Sequence, residues 1–206
     1  MIDVVVVDDH PALRAGLTGL LEADGDGRVV AAAGGGEEGV VLAREHQPDV
    51  VLIDLEMPDL DGAAATRRIV AENPAARIVV LTSFGDRPRI LEALEAGAVG
   101  YLLKDTEPDE LLRAVRAAAA GNAPLDPRAA REVLAARRDS DATGQLTERE
   151  RQILVLVAGG QANKVIALQL GISHKTVRNT LSGAFAKIGV TDRTQAALWA
   201  HRAGLA

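Results

Sequence analysis

Asp8 and Asp9 stand side by side, Asp54 ends a run of apolar residues, and Thr82 and Lys104 end two further runs of the same kind. Three carboxylates brought to one place repel one another unless a cation or a proton offsets their charge. With a threonine and a lysine beside them and no histidine or cysteine expected nearby, the hard cation Mg2+ is the natural companion. A carboxylate beside Mg2+ can attack a phosphoryl group and become an acyl phosphate, with metal and lysine spreading the developing negative charge. In that chemistry the Thr82 hydroxyl donates to the new phosphoryl oxygens and Lys104 pairs with another.

A second set lies near the other end. Lys175, Arg178, Asn179 and Ser182 are spaced to share one stripe of a helix. The opposite stripe, Val177, Leu181, Phe185 and Ile188, is apolar. A polar-basic stripe backed by a core stripe suits a helix lying in the major groove of DNA. Arg178 and Asn179 have the side chains that read guanine and adenine edges. Lys164, Lys175 and Thr176 are placed for phosphates.

The elements that must position the carboxylates alternate. Strands are predicted over residues 2–7, 28–31, 49–53, 77–81 and 100–103, each followed by a helical pattern: Leu13 to Leu21, then 37–46, 62–73, 88–96 and 108–120. Such alternation makes a doubly wound parallel sheet with helices on both faces. In that class of α/β fold the working site lies at the carboxyl ends of the strands, where Asp8, Asp9, Asp54, Thr82 and Lys104 fall. Residues 1–123 form this domain. Residues 124–145 read as a linker, helical over 129–138, with a flexible joint at 139–144. From Leu146 the pattern is all helical. Thr147 with Glu150 three residues on is a capping box, and helices are expected to 158, over 163–170, over 174–188 and over 194–203. The second and third, joined by Gly171-Ile172-Ser173, make a helix-turn-helix in a small all-α domain of four helices, residues 146–206.

Charge divides the same way. Residues 1–123 carry 11 Lys and Arg against 22 Asp and Glu, residues 124–145 carry 4 of each, and residues 146–206 carry 8 against 3. A basic end behind an acidic front points to nucleic acid at the basic end. No stretch is long and apolar enough to span a bilayer, and the first residues enter a strand at once, so a cytoplasmic location is expected.

The runs VVVVDDHPALR, VLIDLEMPDLDG, VVLTS and GYLLKD resemble receiver domains of response regulators, over residues 2 to about 122. The five-stranded sheet is then flavodoxin-like. The resemblance implies that Asp54 is the phospho-acceptor, served by a partner histidine kinase. It implies that Asp9 is a direct Mg2+ ligand, that Asp8 acts partly through water, and that Asp54 and the backbone carbonyl of Glu56 complete the set. Thr82 and Lys104 become the phosphate-sensing pair, and Tyr101 a switch aromatic that turns inward. The stretch LTERERQIL, with NKVIALQLGISHKTVRNTLSGAFAKIGVTDRTQAA, resembles the LuxR-type helix-turn-helix. Together the two identify the chain as similar to the NarL/FixJ class of transcriptional response regulators. Double-stranded promoter DNA, a homodimer and RNA polymerase are the partners implied. In that class the last helix pairs DNA-binding domains, so Trp199 and Leu198 are candidates for core or for that surface. Two other functions fit parts of the pattern: DNA binding without phosphorylation, and a phosphatase using Asp54 as nucleophile. The second leaves the helix-turn-helix unexplained and needs a general acid where Glu56, expected to point away, stands.

Overall fold

The computed structural model describes residues 1–83 and 85–206. They form two compact units, residues 1–133 and 134–206.

The first unit is built on strands β1 (Ile2–Val7), β2 (Gly27–Ala33), β3 (Val50–Ile53), β4 (Ile78–Thr82) and β5 (Gly100–Leu103). They pair in the order β2-β1-β3-β4-β5, all parallel. Side chains alternate across a strand, and the sequence exploits it. Val5, Val7, Val51, Ile53, Val80 and Leu103 bury on one face of the sheet. Val4, Val6, Val50, Leu52, Val79 and Leu102 bury on the other. Helices α2 (Gly36–His46), α3 (Gly62–Glu72) and α4 (Arg87–Glu95) cover the first face, through Val40, Ile69 and Ile90 among others. Helices α1 (Pro11–Asp24) and α5 (Pro108–Ala119) cover the second, through Leu17, Leu21, Leu111 and Val115. An apolar run such as Val4 to Val7 is what a strand covered on both faces requires.

The expected linker behaves differently from a tether. The Tyr101 N–H donates to the Pro124 carbonyl at 2.9 Å, and the Asp126 N–H donates to the Tyr101 carbonyl at 2.9 Å. Residues 124–126 thus cover the open edge of β5, which would otherwise present unpaired backbone groups. The approach is close enough that a Cβ on Gly100 would stand 2.8 Å from the Pro124 ring. Beyond it, α6 runs unbroken from Pro127 to Gln145. Ala129 at its start is buried in the first unit's core, and Ala142 near its end packs on the second unit's core. The joint expected at 139–144 is helical. Its Asp, Ser and Thr residues cost a helix only tenths of a kcal/mol each, and the Thr143 hydroxyl bonds back to the Asp139 carbonyl at 2.7 Å.

The second unit contains α7 (Glu148–Ala158), α8 (Asn163–Gln169), α9 (His174–Ile188) and α10 (Arg193–Arg202). Ile153, Leu154, Ile166, Val177, Leu181 and Trp199 fill its core. Trp199 is only 2% exposed, so it belongs to this core and not to a pairing surface, whereas Leu198 beside it is 59% exposed. The buried stripe of α9 is Val177, Leu181, Ala184 and Ile188. Ala184 takes the place expected for Phe185, because one residue turns a helix by about 100° and the four observed positions keep to one face. Phe185 flanks the core half-buried. Gly171, at φ +63°, makes the left-handed turn between α8 and α9.

The capping box forms as read. Thr147 accepts from the Glu150 N–H, and the Thr147 N–H donates to Glu150 Oε2 at 2.7 Å. The same oxygen takes a hydrogen bond from Lys187 Nζ on α9, at 2.7 Å. Burial would raise the Glu150 carboxyl, but Lys187 and Thr147 outweigh it and hold it below its ordinary 4.5. A depressed carboxyl stabilises fully above its unfolded value and less as pH falls through the folded one. Glu150→Gln is therefore expected to cost about 1–2 kcal/mol at pH 7. The two melting curves should converge as the pH is lowered toward 3; a gap that stays constant with pH would show that the charge plays no part.

Candidate functional site

The carboxyl ends of the strands bring the acidic residues together. Asp8 follows β1 and Asp54 follows β3; their neighbours Val7 and Ile53 pair in register. Both are buried, at 2% and 4% exposure. Lys104, just past β5, lies against both: its Nζ stands 2.7 Å from Asp8 Oδ2 and 2.7 Å from Asp54 Oδ2. Burial alone would lower the Lys104 ammonium, but the hydrogen bonds and charges of Asp54 and Asp8 prevail and raise it. The lysine is therefore fully charged near neutral pH, and two buried carboxylates share one cation.

Asp9 completes the cluster from the rim of an open cleft of about 530 Å³, also lined by Glu56, Met57, Asp61 and Arg89. Its Oδ1 is buried and makes no hydrogen bond, and His10 Nδ1 stands 2.7 Å from it. One donor atom from each of Asp8, Asp9, His10 and Asp54 can be chosen so that all four lie within 4.8 Å of one another. An oxygen-rich set with a surplus of negative charge fits a hard divalent cation. Glu56 borders the cleft with its side chain turned outward to the Arg89 guanidinium. Thr82 is fully buried at the end of β4, and its carbonyl accepts the Lys104 N–H at 2.8 Å. Tyr101 is also fully buried, on the face of the sheet that α4 covers. Burial and the Asp86 charge push its phenol up.

Several residues at this edge escaped the sequence reading. Arg14 on α1 donates to the Asp8 carbonyl. Gly62 opens α3 so close to Asp54 that a Cβ there would stand 2.0 Å from the Asp54 carbonyl oxygen. No histidine was expected near the carboxylates, yet His10 Nδ1 stands 2.7 Å from Asp9 Oδ1, because the turn into α1 brings its ring back to them. The glycine had a signal in its position eight residues after Asp54 within one motif run, whereas Arg14 and Arg89 reach the site only through tertiary packing.

In the second unit Lys164, Lys175, Thr176, Arg178, Asn179 and Ser182 are all exposed. Among the described residues Lys164, Lys175 and Arg178 have no carboxylate partner. The three acidic residues of 146–206 stand at helix starts: Glu148 and Glu150 in the first turn of α7, Asp192 as the N-cap of α10. There they meet the positive end of the helix dipole, and the outer face of α9 is left basic. The Thr176 hydroxyl is 2.8 Å from that of Ser173, whose oxygen also caps α9 through the Thr176 N–H. A groove of about 260 Å³ continues this face past Arg178 and Ser182 to Phe185, Asn163 and Arg193. Arg193 Nη1 donates to Asn163 Oδ1 at 2.9 Å. Asn163 and Arg193 are additions that the α9 stripe alone did not suggest.

Residues 4–116 match the family model of the response regulator receiver domain, and residues 144–200 match that of the bacterial regulatory proteins of the luxR family. The chain is 44% identical to the transcriptional regulatory protein LiaR of Bacillus subtilis, over 98% of each chain. It is 39% identical to the DNA-binding transcriptional activator DevR/DosR of Mycobacterium tuberculosis, over 97% of this chain and 94% of that one. A LuxR-family response regulator structure from Aurantimonas covers 66% of this chain and 98% of its own, at 39% identity and a TM-score of 0.63. Among the described residues no helix is long and apolar enough to cross a membrane.

Proposed function

The chain belongs to the response regulators that join a receiver domain to a luxR-family helix-turn-helix domain, and from that premise we propose that Asp54 is the phospho-acceptor whose charge state controls DNA binding. The chain is a transcriptional regulator, not an enzyme with a separate substrate; the only chemistry assigned to it is on its own aspartate. The observation that carries the reading is the shared Lys104, 2.7 Å from both Asp54 and Asp8 at the sheet edge.

The Asp54 carboxylate attacks the phosphorus of a phosphohistidine on a partner kinase. The P–N bond breaks, its electron pair goes to the imidazole nitrogen, and that nitrogen takes up a proton. Asp8, Asp9, Asp54 and the Glu56 carbonyl would hold Mg2+, which supplies charge neutralisation to the transferring group. Lys104 stays within reach of the new phosphoryl oxygens, and the Thr82 hydroxyl donates to another, with Tyr101 as the buried aromatic that registers the change. Water later attacks the acyl phosphate and restores the carboxylate. The reading places the protein in the cytoplasm, where kinase and promoter DNA are both within reach, with RNA polymerase as a further partner. A phosphorylated pair presents two α9 helices to two half-sites, and the second contact raises affinity through effective concentration.

The test is selection of bound duplexes from a random pool by protein carrying beryllofluoride and Mg2+, followed by single substitutions. Arg178→Ala should cost about 1–3 kcal/mol on the selected site and relax one base position, whereas Lys175→Ala should weaken all sequences alike. No enriched site, or equal loss for Arg178→Ala on every sequence, would overturn the assignment of α9 as the reading helix.

A further inference from the structure

We propose that His10 is a nitrogen ligand of the cation held by Asp8, Asp9 and Asp54, and that it sets which divalent cation the pocket prefers. The proposal rests on the reading of those carboxylates as a cation site. His10 occupies the N-cap position of α1, where a side-chain oxygen is the usual choice, yet its ring makes no capping bond. Pro11, which follows, presets the helix entry without one. The ring is 68% exposed, but its Nδ1 faces the carboxylates, 2.7 Å from Asp9 Oδ1 and 3.3 Å from Asp8 Oδ1. The His10 N–H, bonded to Asp8 Oδ1 at 2.8 Å, fixes the backbone that carries it.

The carboxylate edges are divided. Lys104 holds Asp8 and Asp54 by their Oδ2 atoms; His10 faces Asp8 and Asp9 by their Oδ1 atoms. Neighbouring ligands bound at about 2.1 Å stand about 3 Å apart around one octahedral ion, and the two His10 separations bracket that spacing. Carboxylates and carbonyls alone suit Mg2+ and Mn2+, whereas an added imidazole favours later first-row ions such as Co2+ and Ni2+. The pocket is then a mixed oxygen–nitrogen site, with a metal preference determined by a residue outside the acidic triad.

The experiment uses the untagged full chain with Mn2+ alone and no phosphoryl donor, in wild type, His10→Ala and Asp9→Asn. Electron spin echo modulation should show a coordinated imidazole nitrogen in wild type and none in His10→Ala. Calorimetry should show the preference for Co2+ over Mg2+ falling about tenfold or more in His10→Ala. Mn2+ that binds, and is lost in Asp9→Asn, but carries no nitrogen signal in wild type would overturn the His10 proposal and leave the carboxylate site standing. A nitrogen signal that persists in His10→Ala would place it on His46, His174 or His201 and overturn the proposal equally. Mn2+ binding indifferent to Asp9→Asn, or absent altogether, would remove the cation site and the proposal with it.

Discussion

Asp54→Asn is expected to abolish phosphoryl uptake from acetyl phosphate, seen as the loss of the mass increase that wild type shows in Mg2+. The amide keeps the size of the side chain and a hydrogen-bonding oxygen, so Lys104 retains a neutral partner where it now has a carboxylate at 2.7 Å. What goes is the nucleophile and one of the charges that would hold the metal. Because the step is a covalent bond to that oxygen, the effect is a loss and not a reduction. Asp8 and Asp9 are also near the pocket, but the Asp8 carboxylate is tied to Lys104 and to the His10 N–H, and neither is expected to take over. Peptide mapping that finds the phosphoryl group on another residue would refute the role given to Asp54.

Lys104→Met is expected to be the most destabilising change at the sheet edge. Methionine keeps the apolar stem and removes the ammonium, leaving Asp8 and Asp54 buried without their shared cation. Loss of one partner of a buried ion pair costs about 3 kcal/mol or more, and here two carboxylates lose the same partner. Denaturant unfolding in chelator should show that loss. Added Mg2+ should recover part of it, because a ligand bound only by the folded state stabilises by mass action. Wild type should gain less from Mg2+ than the variant, since Lys104 already neutralises part of the charge. Equal gains in the two would mean that lysine and cation do not share these carboxylates.

How much of this was legible in the sequence depends on how local each cause is. The run Val4 to Val7, the capping box at Thr147 and Glu150, and the stripe Lys175, Arg178, Asn179 and Ser182 are written within one or two helical turns or one strand, and the structure reproduces them. The ends of the strands were equally legible, and with them the gathering of Asp8, Asp54 and Lys104, because a parallel sheet sends every carboxyl end to one edge. Choices between near-equal alternatives were not legible. Asp139 to Gly144 has the composition of a joint, yet it stays helical in an α6 whose Ala129 is buried in the first unit's core and whose Ala142 packs partly buried on the second's. The cover that residues 124–126 place over β5 depends on Gly100 having no side chain, a fit visible only when strand and segment meet. Ala184 in place of Phe185, and Trp199 in the core, depend on which way α9 and α10 roll against α7. His10 could be placed in the chain but not aimed; only the folded turn shows its ring at the carboxylates.

On the proposed function, a charge change at Asp54 alters how the chain assembles. Sedimentation velocity of the purified chain in Mg2+, with and without beryllofluoride and beside Asp54→Ala, tests it most directly. The expected result is a shift from monomer toward dimer in wild type with beryllofluoride, absent in Asp54→Ala. Wild type and variant both remaining monomeric, or both dimeric before beryllofluoride is added, would contradict phosphorylation-driven assembly and leave release of a masked α9, or constitutive DNA binding, as the way the protein works.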